Sequence, residues 1–146
     1  MSRMVRQPVA LGCIFIWIGM VCAISFLEAW LKFRAPGVTL PIGLGIGRLV
    51  FSALNKVEWI LALIAVTGTF LHRYSLLSTR NVLLLIAVII LVVQTFWLLP
   101  ALDTRAQWII DGRTPPPSNL HIVFIAAEIT KVSSLFATAV HYFDTV

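Results

Sequence analysis

Four long apolar runs organise this chain, each separated from the next by a short stretch rich in Pro, Gly, Arg or Ser. They extend from about Val9 to Phe33, Leu44 to Leu71, Val82 to Ala101 and Leu120 to Phe143. About 20 helical residues cross the roughly 30 Å hydrocarbon layer of a bilayer, so each run is long enough to span. Lipid offers no partner to an open sheet edge, and four strands cannot close a barrel. The pattern therefore predicts an all-α protein, a four-helix transmembrane bundle, with residues 1–146 forming one domain. Pro36, Gly37 and Pro41 break the chain after the first run. Pro115, Pro116 and Pro117 break it before the fourth, where Ser118 or Asn119 can cap. Pro100 removes a backbone donor and is expected to kink or end the third span, leaving Leu102 to Ile110 as an amphipathic extension.

Composition supports that reading. Sixty per cent of residues are hydrophobic, 12% are charged, and mean hydropathy is +0.97. Soluble domains carry about a quarter charged residues. Arg3 and Arg6 precede the first run as they would in a signal peptide, but the run is long enough to remain as an uncleaved span. The net charge of +5 suits an anionic lipid surface. No basic cluster lies away from the membrane-flanking positions, so nucleic acid is not an expected partner. Arg3, Arg6, Arg73 and Arg80 flank the side of the termini, against Lys32, Arg34, Arg105 and Arg113 on the other. Asp103 and Asp111 are interleaved on that second side, but acidic residues count little in the positive-inside rule and the basic tally is nearly even. The expectation taken from it is a bacterial inner-membrane protein with both termini cytoplasmic. Cys13 and Cys22 lie about 13 Å apart along one helix, too far for a disulfide, and read as small packing residues.

The polar residues inside the runs change the picture from span to site. A carboxylate in hydrocarbon costs about 3 kcal/mol or more, so Glu28, Glu58 and Glu128 call for partners or a cavity. On the second run Arg48, Ser52, Asn55 and Glu58 share one helical stripe, which Ala62, Ala65 and Thr69 continue with small residues. Lys56 falls off it. On the fourth run His121, Glu128, Leu135 and Tyr142 recur at seven-residue spacing, with Lys131 a turn beyond Glu128. Ser25, Glu28 and Lys32 share a face of the first run, and Gln94, Ala101, Arg105 and Trp108 one of the third. These stripes bring polar groups into the half of the bilayer away from the termini. The bland reading is that pairs such as Glu58 with Lys131, or Glu28 with Arg48, only lock helix register. The five tryptophans read as lipid or interface anchors, with Trp97 near enough to Gln94 to wall a pocket.

A metal centre is not expected. Helical bundles that hold di-iron sites use Glu-x-x-His pairs, which this chain lacks, and His121 stands about 10 Å along the helix from Glu128. His72 and His141 lie towards the other face, where a haem would need them buried. Phosphate-loop, Gly-x-Ser-x-Gly and Cys-x-x-Cys motifs are absent, and Gly43, Gly45 and Gly47 follow a loop rather than a strand.

Two resemblances follow from these motifs. The segments EAWLKFRAP from Glu28, GRLVFSALNKVE ending at Glu58, LPALDTRA from Leu99, and His121 through Glu128 resemble a family of uncharacterised four-helix membrane proteins. Eukaryotic relatives of that family have been linked to platinum-drug resistance. It implies a membrane fold without an assigned activity. Arg48, Asn55 and Glu58, with Leu71 and His72 closing the run, are also similar to the second helix of membrane-associated glutathione and eicosanoid enzymes. Those enzymes carry a further arginine where this chain has Phe51, and an arginine and tyrosine set that Arg105 to Trp108 does not reproduce. That second resemblance implies glutathione as cofactor and a transferase or isomerase activity.

The function read from the residues is binding or passage of a small amphipathic molecule or ion. Its ligand-binding residues would be Glu28, Arg48, Asn55, Glu58, Gln94, His121, Glu128 and Lys131, with no catalytic residue assigned. The alternatives are the glutathione-dependent enzyme and an accessory subunit of a larger membrane complex; a homo-oligomer stays open.

Overall fold

The computed structural model describes residues 7–70 and 77–143. It contains four helices long and apolar enough to cross a membrane: α1 (Pro8–Arg34), α2 (Leu40–Thr69), α3 (Thr79–Ile110) and α4 (Leu120–Val140). No strand occurs among the described residues. The chain is a four-helix bundle of the kind a lipid bilayer accommodates, as the apolar runs predict. Large apolar side chains such as Leu49, Leu63, Phe96 and Ile122 point away from the bundle, which in a bilayer is the lipid side.

The helix ends follow from local chemistry. Pro8 and Pro41 each sit in a first turn, where a missing N–H costs nothing. Pro41 thus starts α2 rather than standing outside it as the sequence suggests. Between α1 and α2, Val38 N–H reaches Ala35 O at 3.2 Å across a turn with Gly37 at φ +82°. Proline followed by a left-handed glycine is the type II arrangement. The C-terminus of α3 closes on Gly112 at φ +74°, with Gly112 N–H to Ile109 O (3.0 Å) and Arg113 N–H to Trp108 O (2.8 Å). That crossed pair is a Schellman closure. Ser118 Oγ accepts the Leu120 N–H at 3.2 Å and opens α4.

Pro100 neither ends nor splits α3. The helix widens to a π-turn over Gln94–Leu98 and then runs on through Leu99–Ile110. The physical reason is local: the proline ring would strike the carbonyl four residues back, and the wide turn displaces that carbonyl. A second π-turn interrupts α1 over Cys22–Glu28.

Packing divides the bundle along its axis. Towards the termini, Ala10, Leu11, Ile14, Trp17, Ala62, Ala65, Leu84, Leu91, Leu135 and Ala139 form a closed apolar core. Tyr142 joins it with its hydroxyl 2.6 Å from Thr69 Oγ1, and the Arg80 guanidinium stacks 4.7 Å from its ring centroid. Gly68 lets α1 approach closely, since a Cβ there would stand 3.1 Å from Ala10 Cβ. Away from the termini the helices splay. The free Cys13 and Cys22 pack within α1.

Candidate functional site

Where the closed core meets the splayed half, the stripes of the four helices deliver a buried polar cluster. Lys131 from α4 is fully buried, and its ammonium donates to Glu58 on α2, to Gln94 Oε1 on α3 (2.7 Å) and to Glu128 Oε1 (2.9 Å). An ammonium has three protons, so these acceptors satisfy it completely. Gln94 bridges the group by donating from Nε2 to the same Glu128 oxygen. Only this orientation of the amide serves both neighbours, because a reversed one would aim its NH2 at the lysine. Trp17 completes the cluster from α1, donating Nε1–H to Glu58 Oε1 at 2.8 Å. Every helix contributes a side chain.

Two features of the cluster matter chemically. It holds two carboxylates against one ammonium, with Glu58, Glu128 and Lys131 at 3%, 2% and 0% exposure. The second oxygen of Glu128 is also buried and carries no hydrogen bond. A buried carboxylate oxygen left without a donor is costly and is usually satisfied by water, a proton or another group.

Above the cluster, towards the connections between α1 and α2 and between α3 and α4, lies a cleft of about 1060 Å³. Its walls come from all four helices. Arg48, Asn55, His121 and Glu128 line it, together with the aromatic rings of Phe26, Phe33, Phe51 and Phe124. Phe51 and Phe124 meet edge to face with centroids 5.6 Å apart. On one wall Asn55 Nδ2 and Trp59 Nε1 both donate to Thr95 Oγ1, at 2.9 and 3.0 Å. On another, Arg48 pairs with Asp103 (Nη2 to Oδ2, 2.9 Å) and with Gln107 on α3. Gln107 in turn donates to Asp111, which Arg113 also holds. The Arg113 guanidinium first, and the Gln107 amide second, draw the Asp111 carboxyl below the usual carboxylate range. At the rim, Arg105 Nη1 donates to the Pro116 carbonyl at 2.6 Å.

Each residue singled out from the sequence can now be placed. Glu58, Gln94, Glu128 and Lys131 meet in the ion cluster. Arg48, Asn55, His121 and Glu128 border the cleft. Glu28 joins neither. It pairs with Lys32 one turn along α1 at 3.1 Å and faces a shallow depression with Leu27, Leu31 and Ala35. The expected Glu28–Arg48 pair does not form, because Asp103 on α3 takes the guanidinium instead. Lys56 is exposed, as its place off the stripe implies. His72, Leu71, Arg3, Arg6 and Arg73 lie outside the described residues.

Two tryptophan assignments change. Trp17 is no lipid anchor but a fully buried donor to Glu58, and Trp97 is 57% exposed and does not border the cleft. Thr95 and Asp103 were the partners missed. A threonine one residue from Gln94 and an aspartate at the mouth of a span carry little signal alone; the neighbouring helix makes them partners. Among the described residues no three His, Cys, Asp or Glu side chains gather as a metal-ligand set. Compared with known protein families, with curated proteins and with solved structures, the chain finds no match.

Proposed function

We propose that this integral membrane protein binds or passes a small amphipathic molecule or ion through the cleft. Binding would take place in the half of the bilayer away from its termini. The observation that carries the reading is the contact between two unlike environments at Glu128. One side of that residue belongs to the closed ion cluster, and the other borders a cleft whose walls are largely apolar and include several aromatic rings. A cavity of a few hundred to about 1000 Å³, mostly apolar with a few convergent polar groups, is the usual form of a small-molecule site. On this reading Arg48, Asn55 and His121 meet the ligand together with Glu128, while Glu58, Gln94 and Lys131 hold Glu128 in place. Glu28 stands aside as a partner of Lys32. The chain would sit in a bacterial inner membrane with both termini cytoplasmic, as kin to the uncharacterised four-helix membrane family.

Native mass spectrometry of the protein released from its own membrane tests this. A small bound mass beyond lipid is expected, and Ala106→Trp, which fills the cleft without touching the ion cluster, should remove it. A chain that carries only lipid, or a bound mass that survives in Ala106→Trp, overturns the reading.

A further inference from the structure

We infer that the cleft takes an amphipathic amine, whose protonated ammonium group pairs with Glu128 while its apolar body lies against the aromatic wall. This rests on the reading of the cleft as a small-molecule site and adds the chemical class of its ligand.

Charge decides the class. Glu58 and Glu128 together face a single ammonium, Lys131, and all three are buried. Lys131 has no proton left to give, since Glu58, Gln94 and Glu128 take all three. With both carboxyls ionised the cluster carries one negative charge in excess in a region of low dielectric, a condition that is strongly disfavoured without a counter-charge. The surplus has a definite address. Each carboxylate has one oxygen that receives two donors, but of the two only Glu128 borders the cleft, and its second oxygen is buried with no donor. A second buried polar atom without a partner, Ser25 Oγ, belongs to another residue bordering the same cleft.

The other charges around the cleft do not meet that need. Lys32 is bound to Glu28 and Arg48 to Asp103, while Arg105 keeps its charge at the rim, where it donates to the Pro116 carbonyl and makes no bond to Glu128. An ammonium group entering from the cleft supplies both missing elements at once, a positive charge and a hydrogen-bond donor. A neutral alcohol supplies only the donor, and a carboxylate adds to the surplus. The rings of Phe51 and Phe124 favour the remainder of such a ligand, since aromatic faces attract cations and pack against apolar groups.

Three probes of one shape separate these chemistries: phenethylammonium, 2-phenylethanol and phenylacetate. Each is titrated calorimetrically into the full chain in lipid nanodiscs at neutral pH, with empty nanodiscs as the blank. Phenethylammonium should bind saturably and more tightly than the other two. Glu128→Gln, which keeps the shape and the Gln94 and Lys131 contacts, should weaken it about tenfold or more. Equal or tighter binding of the alcohol or the acid overturns the amine assignment and leaves the cleft standing as a site. Absence of saturable amine binding overturns it too, and the mass lost or kept in Ala106→Trp then tells whether the site itself survives. Unchanged amine affinity in a folded Glu128→Gln protein removes Glu128 from the role. Should that variant fail to fold, the ranking of the three probes on the unaltered chain still decides.

Discussion

At the scale of single residues, Lys131 is the centre on which three helices converge. Among the described residues it is the one charged side chain with no exposure at all, and each of its protons is committed. The three ions are not equivalent in what their loss leaves behind. Removing Glu128 leaves Glu58 and Lys131 as a balanced pair, whereas removing Lys131 leaves two buried carboxylates without the cation that joins them. Breaking a buried ion pair by deleting one partner typically costs about 3–5 kcal/mol. Lys131→Met should fall in that range, and Glu128→Gln should cost distinctly less. Unfolding of the two variants in mixed detergent, followed by circular dichroism, checks the order. Equal stabilities would mean that the cluster is not electrostatically coupled as its geometry requires.

At the scale of helices, close approach is set by small residues, and the bundle offers a matched contrast. Gly68 on α2 faces Ala10 on α1 so closely that a Cβ would stand 3.1 Å from its methyl group. Gly19 on α1 has nothing within 4 Å of the same position. Without a hydrophobic drive between helices in lipid, such backbone approach is a principal source of association. Gly68→Leu must push α1 and α2 apart, and overpacking of this kind costs about 1–3 kcal/mol. Gly19→Leu has room and removes a helix-destabilising glycine, so its stability should match or slightly exceed the parent's. Thermal melting of both variants in the same detergent measures the difference. The two π-turns belong to this scale as well: the one over Gln94–Leu98 lets α3 pass Pro100 and still carry Asp103 and Gln107 to Arg48.

At the scale of the whole molecule, the closed end and the splayed end lie at opposite ends of the same four helices. With an even number of spans, the connection bearing Gly37 and the connection from Asp111 to Asn119 share a side, and the cleft opens towards both. Thr39→Cys and Ser118→Cys should therefore react with a membrane-impermeant maleimide from the same face of sealed vesicles. Labelling of the two from opposite faces would contradict the bundle's topology. Alkaline carbonate should leave the protein in the membrane pellet, since four apolar helices hold it there.

What the chain determines alone is periodicity: which segments are long and apolar enough to span, and which residues share a face. The spans, and the stripe of Arg48, Asn55 and Glu58 with Lys56 outside it, follow from spacing along one helix, and local geometry needs no partner to be legible. Where the sequence misleads, a second element intervenes. Glu28 and Arg48 sit at suitable depths to pair, yet depth says nothing of how each helix is rotated about its axis, and Asp103 is turned towards the arginine while Glu28 is not. Trp17 is indistinguishable from a lipid anchor until α2 presents Glu58 to it. Pro100 reads as a helix breaker because residue spacing does not show that the turn before it widens and so carries the helix past the proline ring. The count of two glutamates and one lysine was present in the sequence, but their closure into one cluster, and the Glu128 oxygen that no donor reaches, were decided only by the tertiary structure. Helix azimuth is fixed by contacts between helices, and no residue spacing within a single helix encodes it.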